Sequence, residues 1–375
     1  MKKISLELQP CCWARSGIGT YTYEIAKQLK NDEIFEFQGN VFNFMERHDN
    51  TAALDGISMP INVCKSIPYG LYRRIWNMIP ICYSSVISNQ ADLSIFFNFI
   101  VPPRVEGKVA TVIHDVTYLR NPETIKKSNL KHLLRGIEYS IERSDKVIAT
   151  SQFTKTELQR LLLVPKEKIS VVHSAPSIST ELEPFAGVCE RFGIKTNYIL
   201  FVGTIEPRKN IVRLLTAFEK MKSYYGIHHQ LVLAGGKGWR DEDIRRKLSE
   251  SKYKEDIILT GYVKAAEKNT LYKYADAFVF PSIYEGFGMP PLEAMHWNCP
   301  VVCSNVSSIP EIVGDAAEFV DPLDDNSIAE GMMRVITDHN LANRLRINGE
   351  EQTKKFTWER SAEELKQVCR EILYQ

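Results

Sequence analysis

The stretch FPSIYEGFGMPPLEA, residues 280–294, decides the fold because it joins a strand pattern to a helix pattern through a glycine-rich loop. An apolar run ends at Phe280, and the proline pair that follows the loop suits the first turn of a helix. Glu285 then falls in the loop and Glu293 in the predicted first helical turn. Backbone N–H groups of residues 286–289 are placed to bind phosphate or sugar oxygens, and carboxylates accept paired hydrogen bonds from hydroxyls. A favourable helix charge accounts for Glu293 but not for the Gly-Phe-Gly loop.

The same alternation of short apolar runs and amphipathic stretches extends over the whole chain, as in parallel sheets flanked by helices. The predicted strands are 3–8, 34–42, 93–97, 109–113, 146–150 and 169–173, followed by 198–202, 230–234, 257–260, 277–280, 301–303 and 318–320. The predicted helices include 20–29, 130–143, 210–224, 267–274, 291–297, 327–337 and 358–374.

This pattern predicts an α/β protein with two doubly wound domains, residues 1–175 and 196–357, joined by a linker at 174–196. Ligands of such sheets bind beyond the carboxyl ends of the strands, so the cleft between the domains is the expected site.

Composition sets the outer limits on function. A length of 375 residues favours two domains, and a net charge of +1 argues against a nucleic-acid binder that relies on bulk charge. The eight cysteines are scattered without a Cys-x-x-Cys pair, which suits free thiols in a reducing compartment. No signal-peptide core and no run of about 20 apolar residues is present. We therefore expect a cytoplasmic protein that is at most peripheral to a membrane.

A second loop, VGTIEPRKN at residues 202–210, places two cations before a predicted helix. Arg208 and Lys209 would be poorly placed against the helix dipole if solvent were their only partner. A bound anion would correct this, with arginine gripping a phosphate by its fork and lysine acting as a point charge. A diphosphate site is the favoured interpretation, and a solvated charged face is the alternative.

The first half of the chain offers two weaker signals at strand ends. The sequence SGIGT, residues 16–20, suits either a phosphate-binding turn or a tight turn capped by Ser16 or Thr20. His114 and Asp115 follow the predicted strand 109–113, which places them on the ligand side of the sheet. A structural histidine is the alternative interpretation of His114.

Together these motifs resemble those of the group 1, family 4 glycosyltransferases. Residues 285–293 resemble the family's Glu-x7-Glu motif, and residues 16–19, 114–115, 150–154, 207–210, 233–236 and 261–263 match in kind and order. The resemblance implies a GT-B fold, in which two Rossmann-like domains face a central cleft and the C-terminal domain holds most of the nucleotide. It also implies that the last helix, 358–375, packs back onto the N-terminal domain.

The resemblance also implies roles for individual residues. Arg208 and Lys209 would hold the diphosphate, Glu285 the transferred sugar and Glu293 the ribose. The residues assigned to catalysis are His114, Asp115, Arg208, Lys209 and Glu285. The residues assigned to the donor are Gly17, Gly19, Gly203, Arg208, Lys209, Tyr262, Val263, Glu285, Gly286, Phe287, Gly288, Met289 and Glu293.

The reaction implied is a retaining hexosyl transfer from a nucleotide-diphosphate sugar to a glycan or lipid-linked acceptor, without a metal or other cofactor. The pattern most resembles mannosyltransferases of bacterial surface polysaccharide synthesis (lipopolysaccharide O-antigen or capsule), so GDP-mannose is the first expectation and a UDP-sugar the second. Two other functions stay open: a sugar-nucleotide epimerase and a non-catalytic nucleotide-sugar-binding subunit. A glycosidase that uses Glu285 and Glu293 as its carboxyl pair is less favoured, because hydrolysis does not need the phosphate-binding residues Arg208 and Lys209.

Two further segments have ordinary explanations that we weigh against functional ones. The acidic residues 241–243 imitate a metal-binding Asp-x-Asp motif, but acidic residues are common at the start of a helix. Residues 65–81 interleave aromatic and basic side chains, which suits either a peripheral membrane contact or, more simply, a buried helix.

Overall fold

A computed structural model describes residues 1–12, 16–46, 51–76, 82–87, 90–238 and 240–374, and these form two compact units. Unit 1 comprises residues 1–119, 127–175 and 357–375, and unit 2 comprises residues 120–126 and 176–356. Each unit is built on one parallel sheet with helices between successive strands, which makes each Rossmann-like.

The strands of unit 1 are β1 (Lys2–Glu7), β2 (Phe35–Phe42), β3 (Ile61–Cys64), β4 (Leu93–Phe96), β5 (Lys108–Ile113), β6 (Lys146–Ala149) and β7 (Ile169–Val171). The strands of unit 2 are β8 (Tyr198–Val202), β9 (Gln230–Ala234), β10 (Ile257–Gly261), β11 (Ala277–Phe280), β12 (Val301–Ser304) and β13 (Ala317–Val320). In the sheets, the strands of unit 1 lie in the order β3-β2-β1-β4-β5-β6-β7, and those of unit 2 in the order β10-β9-β8-β11-β12-β13.

The helices connect these strands, and the last one returns to unit 1. The helices of unit 1 are α1 (Gly17–Gln28), α2 (Thr51–Leu54), α3 (Tyr69–Ile75), α4 (Tyr83–Ile87), α5 (Thr117–Arg120), α6 (Lys127–Arg143), α7 (Gln152–Leu162) and α16 (Trp358–Tyr374). The helices of unit 2 are α8 (Phe185–Phe192), α9 (Ile211–Tyr225), α10 (Glu242–Glu250), α11 (Ala265–Tyr274), α12 (Met289–His296), α13 (Ile309–Val313), α14 (Asp325–Thr337) and α15 (His339–Thr353). None of these described helices is both long and apolar enough to cross a membrane.

Every predicted strand is confirmed to within about two residues, because the central strands are continuous buried runs; all five residues of β8 and of β9 are buried. The prediction missed β3, which pairs with β2 alone and has only Cys64 fully buried. It also missed α8, which lies inside the stretch read as a linker. Its apolar residues Phe185, Val188, Cys189 and Phe192 recur at helical spacing and pack on the core of unit 2, but the helix has only eight residues and follows a stretch rich in Ser, Pro and Glu.

The predicted linker is bound to unit 2 through α11. The Asn269 side-chain amide donates to the backbone carbonyls of Ser179 and Glu181, each at 2.9 Å, and the Thr270 hydroxyl donates to the Glu183 carbonyl at 2.8 Å. Asn269 and Thr270 are both buried, so these bonds are shielded from water. Unit 2 therefore begins at residue 176 rather than at the predicted residue 196.

Helix α16 packs on α1 within unit 1. The ring of Trp358 lies 6.0 Å from that of Tyr21, centroid to centroid, and a Glu364 carboxylate oxygen accepts from the backbone N–H of His173 at 2.8 Å. The side chains of Leu365 and Cys369 on the same helix are fully buried. The chain's last segment thus completes the core of unit 1 rather than that of unit 2.

Unit 1 also contains a buried aromatic cluster around Tyr72. Phe42 stacks on Tyr72 with ring centroids 5.3 Å apart, and Tyr72 meets Trp76 edge to face at 5.6 Å. Burial of Tyr72 and Trp76 favours the packing interpretation of residues 65–81, although Leu71 and Arg74 on α3 are exposed. Residues 77–81 of that stretch lie outside the described residues.

Glu7 ends β1 beside this cluster and is only 7% exposed. Burial raises the pKa of Glu7 to about 8, against an opposing effect of Arg73, and its Oε1 atom has no hydrogen-bond partner. The unfolded chain ionises near the ordinary value of 4.5. Unfolding therefore releases a proton between those two pH values, and the free energy of unfolding falls by about 1.4 kcal/mol per pH unit across that window.

We expect Glu7→Gln to remove this pH dependence. The variant should be more stable than wild type above pH 8, by roughly 2–5 kcal/mol, and close to wild type at pH 5, because only the ionised carboxylate is disfavoured by burial. Urea unfolding at several pH values measures the effect. Glu33→Gln, an exposed site in the same unit, is the matched control. Parallel pH profiles for wild type and Glu7→Gln would show that Glu7 is not protonated in the folded chain.

Candidate active site

The order of strands in unit 2 brings the two glycine loops together. β8 and β11 are neighbours in the sheet although 76 residues separate the loops that follow them, and the strand order reverses between them. Because the strands are parallel, both loops leave the same edge, at the switch point where doubly wound sheets bind ligands. The backbone N–H of Ile283 donates to the Arg208 carbonyl at 3.0 Å and ties one loop to the other.

Arg208 and Lys209 lie in a short 3₁₀ turn, Pro207–Lys209, and not in the helix that follows. Asn210 adopts a left-handed conformation with φ 62° and separates this turn from α9. Its buried amide donates to the carbonyls of Pro281, at 3.0 Å, and Pro322, at 2.6 Å. A single side chain therefore fixes the basic turn to the segments that follow β11 and β13.

Glu285 binds both cations. Its Oε1 atom lies 2.6 Å from Lys209 Nζ, and its Oε2 atom lies 2.8 Å from an Arg208 guanidinium nitrogen. Arg208 also pairs with Glu206 at 2.9 Å. Solvent is therefore not the only partner of Arg208 and Lys209, and these cations do not need an external anion, because the chain supplies carboxylates of its own.

Arg208 shifts the ionisation of both Glu285 and Lys209, and these two groups also shift each other. Burial alone would raise the pKa of Glu285, but Arg208 and Lys209 outweigh it and hold the pKa at about 2. Burial and the neighbouring Arg208 lower the pKa of Lys209, while Glu285 opposes them. Glu285 is therefore an ionised hydrogen-bond acceptor at neutral pH and not a proton donor, which disfavours the glycosidase-acid interpretation of this residue.

The loop from Glu285 to Met289 is fixed by two serines that the sequence reasoning did not single out. The Ser308 hydroxyl donates to the carbonyls of Glu285, at 3.0 Å, and Phe287, at 2.8 Å, and the Ser307 hydroxyl accepts from the Glu285 N–H at 3.0 Å. A serine pair directly before α13 is the signal that could have revealed them.

Gly288 ends this loop in a conformation that requires glycine. Its φ is 102°, and a Cβ atom there would lie 2.7 Å from the Ile309 side chain. Gly286 and Phe287 are buried in the loop, and Met289 begins α12. The loop is thus a rigid backbone turn beside the charged cluster.

Glu293 belongs to α12 but lies beyond its first turn, because the helix begins at Met289 and not at the proline pair. The prediction of a first-turn position was wrong, and the helix-charge explanation of Glu293 weakens with it. Its carboxylate instead pairs with Lys268 and Tyr272 of α11.

The remaining predicted donor residues of unit 2 also lie at strand ends. Gly203 follows β8 and donates its N–H to the Ala234 carbonyl at 2.9 Å. Tyr262 follows β10, with 83% of its surface exposed, and the next residue, Val263, is buried. An exposed ring beside a buried aliphatic residue is a surface on which a planar base can stack.

The His114 side chain in unit 1 has a defined tautomer. Its Nε2 atom lies 2.7 Å from the Phe97 carbonyl, which can only accept, so Nε2 carries the proton. Burial lowers the pKa of His114, although Phe97 and Asp115 oppose the shift. The ring is therefore neutral at physiological pH, with Nδ1 as an acceptor. The hydroxyl of Thr150 donates to the His114 carbonyl at 2.9 Å and fixes the backbone there.

Asp115 and the first glycine loop, residues 16–20, form hydrogen bonds that stabilise the starts of helices α5 and α1. A carboxylate oxygen of Asp115 accepts from the Thr117 N–H at 2.8 Å, at the start of α5. Ser16 caps α1 by accepting from the Gly19 N–H, at 3.4 Å, while Gly17 opens the helix on the surface. A Cβ atom at Gly19 would lie 2.7 Å from the Pro10 carbonyl oxygen. Close packing and capping therefore account for Gly19, as the alternative interpretation held.

The acidic residues 241–243 lie at the start of α10, as expected, but Asp241 does not cap it with a side-chain bond. Its carboxylate instead accepts from Arg245 at 2.7 Å. Among the described residues, no group of three His, Cys, Asp or Glu side chains is arranged to hold a metal ion.

Two Rossmann-like units, with a basic turn and an acidic glycine loop converging at the switch point of the second, define a glycosyltransferase of the GT-B class. Models of known families agree: Glycosyl transferases group 1 matches residues 190–352, and Glycosyltransferase Family 4 matches residues 15–175. The chain is 30% identical over 374 residues to O-antigen chain mannosyltransferase B of Escherichia coli, covering 95% of this chain and 96% of that protein. This chain belongs to the group 1, family 4 glycosyltransferases.

Solved structures share the fold. HepE of Anabaena, in complex with UDP and glucose, aligns with a TM-score of 0.76 at 16% identity, over 99% of this chain and 100% of that one. WaaG, a glycosyltransferase involved in lipopolysaccharide biosynthesis, aligns with a TM-score of 0.73 at 14% identity, over 99% of this chain and 100% of that one.

Proposed function

We propose that this chain transfers mannose from GDP-mannose to a glycan or lipid-linked acceptor, with retention of configuration and without a metal ion. The proposed setting is the cytoplasmic synthesis of a cell-surface polysaccharide. The choice of mannose rests on the similarity to an O-antigen mannosyltransferase over nearly the full length of both chains. Retention rests on membership of the family.

The observation that carries the proposal is the cluster formed by Arg208, Lys209 and Glu285 at the switch point of unit 2. An ammonium group has three N–H donors and Lys209 uses one of them on Glu285, so Lys209 keeps donors for phosphate oxygens, and Arg208 adds a second positive charge beside it. Negative charge grows on the leaving diphosphate as the glycosidic bond breaks. Fixed cations in a buried site stabilise that charge without reorganising, and each can contribute a few kcal/mol.

The ion-paired state of the Glu285 carboxylate supports a mechanism in which the diphosphate leaves and the acceptor attacks on the same face of the sugar. A nucleophilic carboxylate would have to donate an electron pair from one oxygen to the anomeric carbon. Both oxygens of Glu285 instead form ion pairs, one with Lys209 at 2.6 Å and one with Arg208 at 2.8 Å. We therefore assign Glu285 to accepting hydrogen bonds from sugar hydroxyls. In that position its charge also favours the positive charge that develops on the sugar.

Thermal unfolding with GDP, UDP, ADP and TDP tests the donor. We expect GDP to stabilise the chain, by about 2.7 kcal/mol at 100 times its dissociation constant, and the other nucleotides to do less. Stabilisation by UDP instead would replace GDP-mannose with a UDP-sugar, and the absence of any effect would contradict the nucleotide-sugar assignment.

Incubation with GDP-mannose then separates the remaining functions. Acceptor-dependent release of GDP, with the anomeric configuration of the product kept by NMR, is the expected result. Conversion of the donor without an acceptor would indicate an epimerase. Donor binding without release of GDP, with lipid-linked and free glycan acceptors both present, would indicate a non-catalytic binding subunit.

A further inference from the structure

The Glu293 carboxylate is held from one side by two residues of α11. Lys268 Nζ donates to Glu293 Oε2 at 2.8 Å, and the Tyr272 hydroxyl donates to the same oxygen at 3.1 Å. Lys268 and Tyr272 are four positions apart on one helix, so their side chains leave the same face. Both bonds therefore fix one oxygen of Glu293 from one direction.

The other oxygen has no such bond. Among the described residues, no hydrogen bond reaches Glu293 Oε1, and this atom is not one of the fully buried unpaired polar atoms. The residue as a whole is only 7% exposed. A carboxylate held at one oxygen and open at the other presents a fixed acceptor to a ligand hydroxyl, with little side-chain freedom left to lose on binding.

Burial strengthens the two hydrogen bonds that Lys268 and Tyr272 donate to Glu293. Tyr272 is fully buried, and the Lys268 side chain is 21% exposed against 9% for that of Glu293. A hydrogen bond to a charged group in such surroundings stabilises more than a neutral surface bond does. If this ion pair served only to join α11 to α12, Lys268 and Tyr272 would not have to share Glu293 Oε2, and Oε1 would not have to stay open.

We propose that Lys268 and Tyr272 are positioning residues that orient Glu293 toward the ribose hydroxyls of the bound nucleotide. This inference rests on the proposed function and on the ribose contact that the family resemblance implies for Glu293. Lys268 and Tyr272 touch neither phosphate nor sugar in this scheme. They act on nucleotide affinity through the direction in which Glu293 Oε1 points.

Tyr272→Phe, Lys268→Met and Lys268→Arg test the inference by calorimetry with GDP, UDP and inorganic pyrophosphate, using whichever nucleotide binds wild type. We expect Tyr272→Phe and Lys268→Met each to weaken nucleotide binding about tenfold, which is 1.4 kcal/mol. Pyrophosphate binding should stay within about twofold for Tyr272→Phe, which leaves the charge of the site unchanged. Lys268→Arg should stay within about threefold of wild type for the nucleotide, because it can still donate to Oε2.

Steady-state kinetics should show that Tyr272→Phe and Lys268→Met change donor binding and not the chemical step. We expect the donor KM to rise about tenfold and kcat to stay within about twofold of wild type. Lys273→Met, an exposed lysine of the same helix, controls for loss of a charge from α11. Tyr198→Phe controls for loss of a buried tyrosine hydroxyl, since Tyr198 donates to the Leu271 carbonyl.

The possible failures are distinguishable. Nucleotide binding by Tyr272→Phe and Lys268→Met at wild-type strength would overturn the positioning role, and so would equal weakening of nucleotide and pyrophosphate by Tyr272→Phe. A wild-type chain that binds neither nucleotide would instead overturn the proposed function on which the inference rests.

Discussion

Lys209→Ala is expected to lower turnover about 100-fold or more while the chain remains folded. A factor of 100 corresponds to about 2.7 kcal/mol of transition-state stabilisation, which is the size expected for one fixed donor to a developing negative charge. Lys209 is suited to this task because it is 8% exposed and held on two sides. Glu285 lies 2.6 Å from its Nζ atom, and the Phe280 ring centroid lies 4.7 Å from it.

The fold should survive this substitution because Glu285 keeps its second partner. Arg208 lies 2.8 Å from the other carboxylate oxygen, so removal of the lysine leaves no buried charge without a counter-ion. Turnover of GDP-mannose at saturating donor and the thermal midpoint measure the two effects separately. Lys220→Ala is the control, since Lys220 lies on the exposed face of α9 and pairs with Asn326. Near-wild-type turnover in Lys209→Ala would refute the role assigned to Lys209.

Much of this site follows from the sequence because each of its two loops is local. The strand, the glycines and the charged residues lie within 202–210 and within 280–294, so periodicity and turn chemistry locate them. That the loops meet follows from parallel topology, because the carboxyl ends of neighbouring strands share one edge. The family resemblance assigned Arg208, Lys209 and Glu285 to one donor, and the fold brings the three residues together at one strand-end edge.

What the sequence could not provide is the pairing of side chains across that edge. Glu206 is the carboxylate that the basic loop itself offers, and only the fold shows that Glu285 pairs with both Arg208 and Lys209. The serine pair before α13 marks Ser308 in the sequence, but only the fold shows that its hydroxyl binds the Glu285 loop. These contacts depend on rotamers and on distances of a few ångströms, which no linear pattern encodes.

Contacts between residues distant in the sequence also decide the pKa of a buried carboxyl group and the reason for a particular glycine. Glu7 sits at an ordinary strand end in the sequence, and only its burial beside an aromatic cluster raises its pKa to about 8. Gly19 looked like a phosphate-binding glycine, yet the nearby Pro10 carbonyl accounts for it. A glycine in a loop signals a close approach or an unusual φ, but not which atom approaches.

Glu285→Gln is expected to lower turnover about 100-fold or more with the fold retained, and comparison with Glu285→Ala separates two roles of this carboxylate. Glutamine keeps an oxygen that can accept from Lys209, but it removes the charge that favours a positive sugar in the transition state. Alanine also removes the anion shared by Arg208 and the largely buried Lys209. Arg208 keeps Glu206 at 2.9 Å, so the main unpaired charge is the lysine. Breaking a buried pair in this way costs about 3–5 kcal/mol, so Glu285→Ala should unfold at lower temperature than Glu285→Gln.

Binding of GDP to Glu285→Ala shows whether low turnover reflects damage or chemistry. With the carboxylate gone, the two cations lack their main anion, and the diphosphate should bind as tightly as in wild type or more tightly, restoring part of the lost stability. Calorimetry with GDP and thermal unfolding with and without it measure this, and Glu219→Gln, which loses an ion pair to Lys247 in the same unit, is the control. Because repulsion between Glu285 and a diphosphate opposes binding in wild type, turnover and affinity should move in opposite directions. Loss of GDP binding in step with turnover would mean that Glu285 holds the site together rather than serving the sugar, and near-wild-type turnover in Glu285→Gln would remove it from the chemistry.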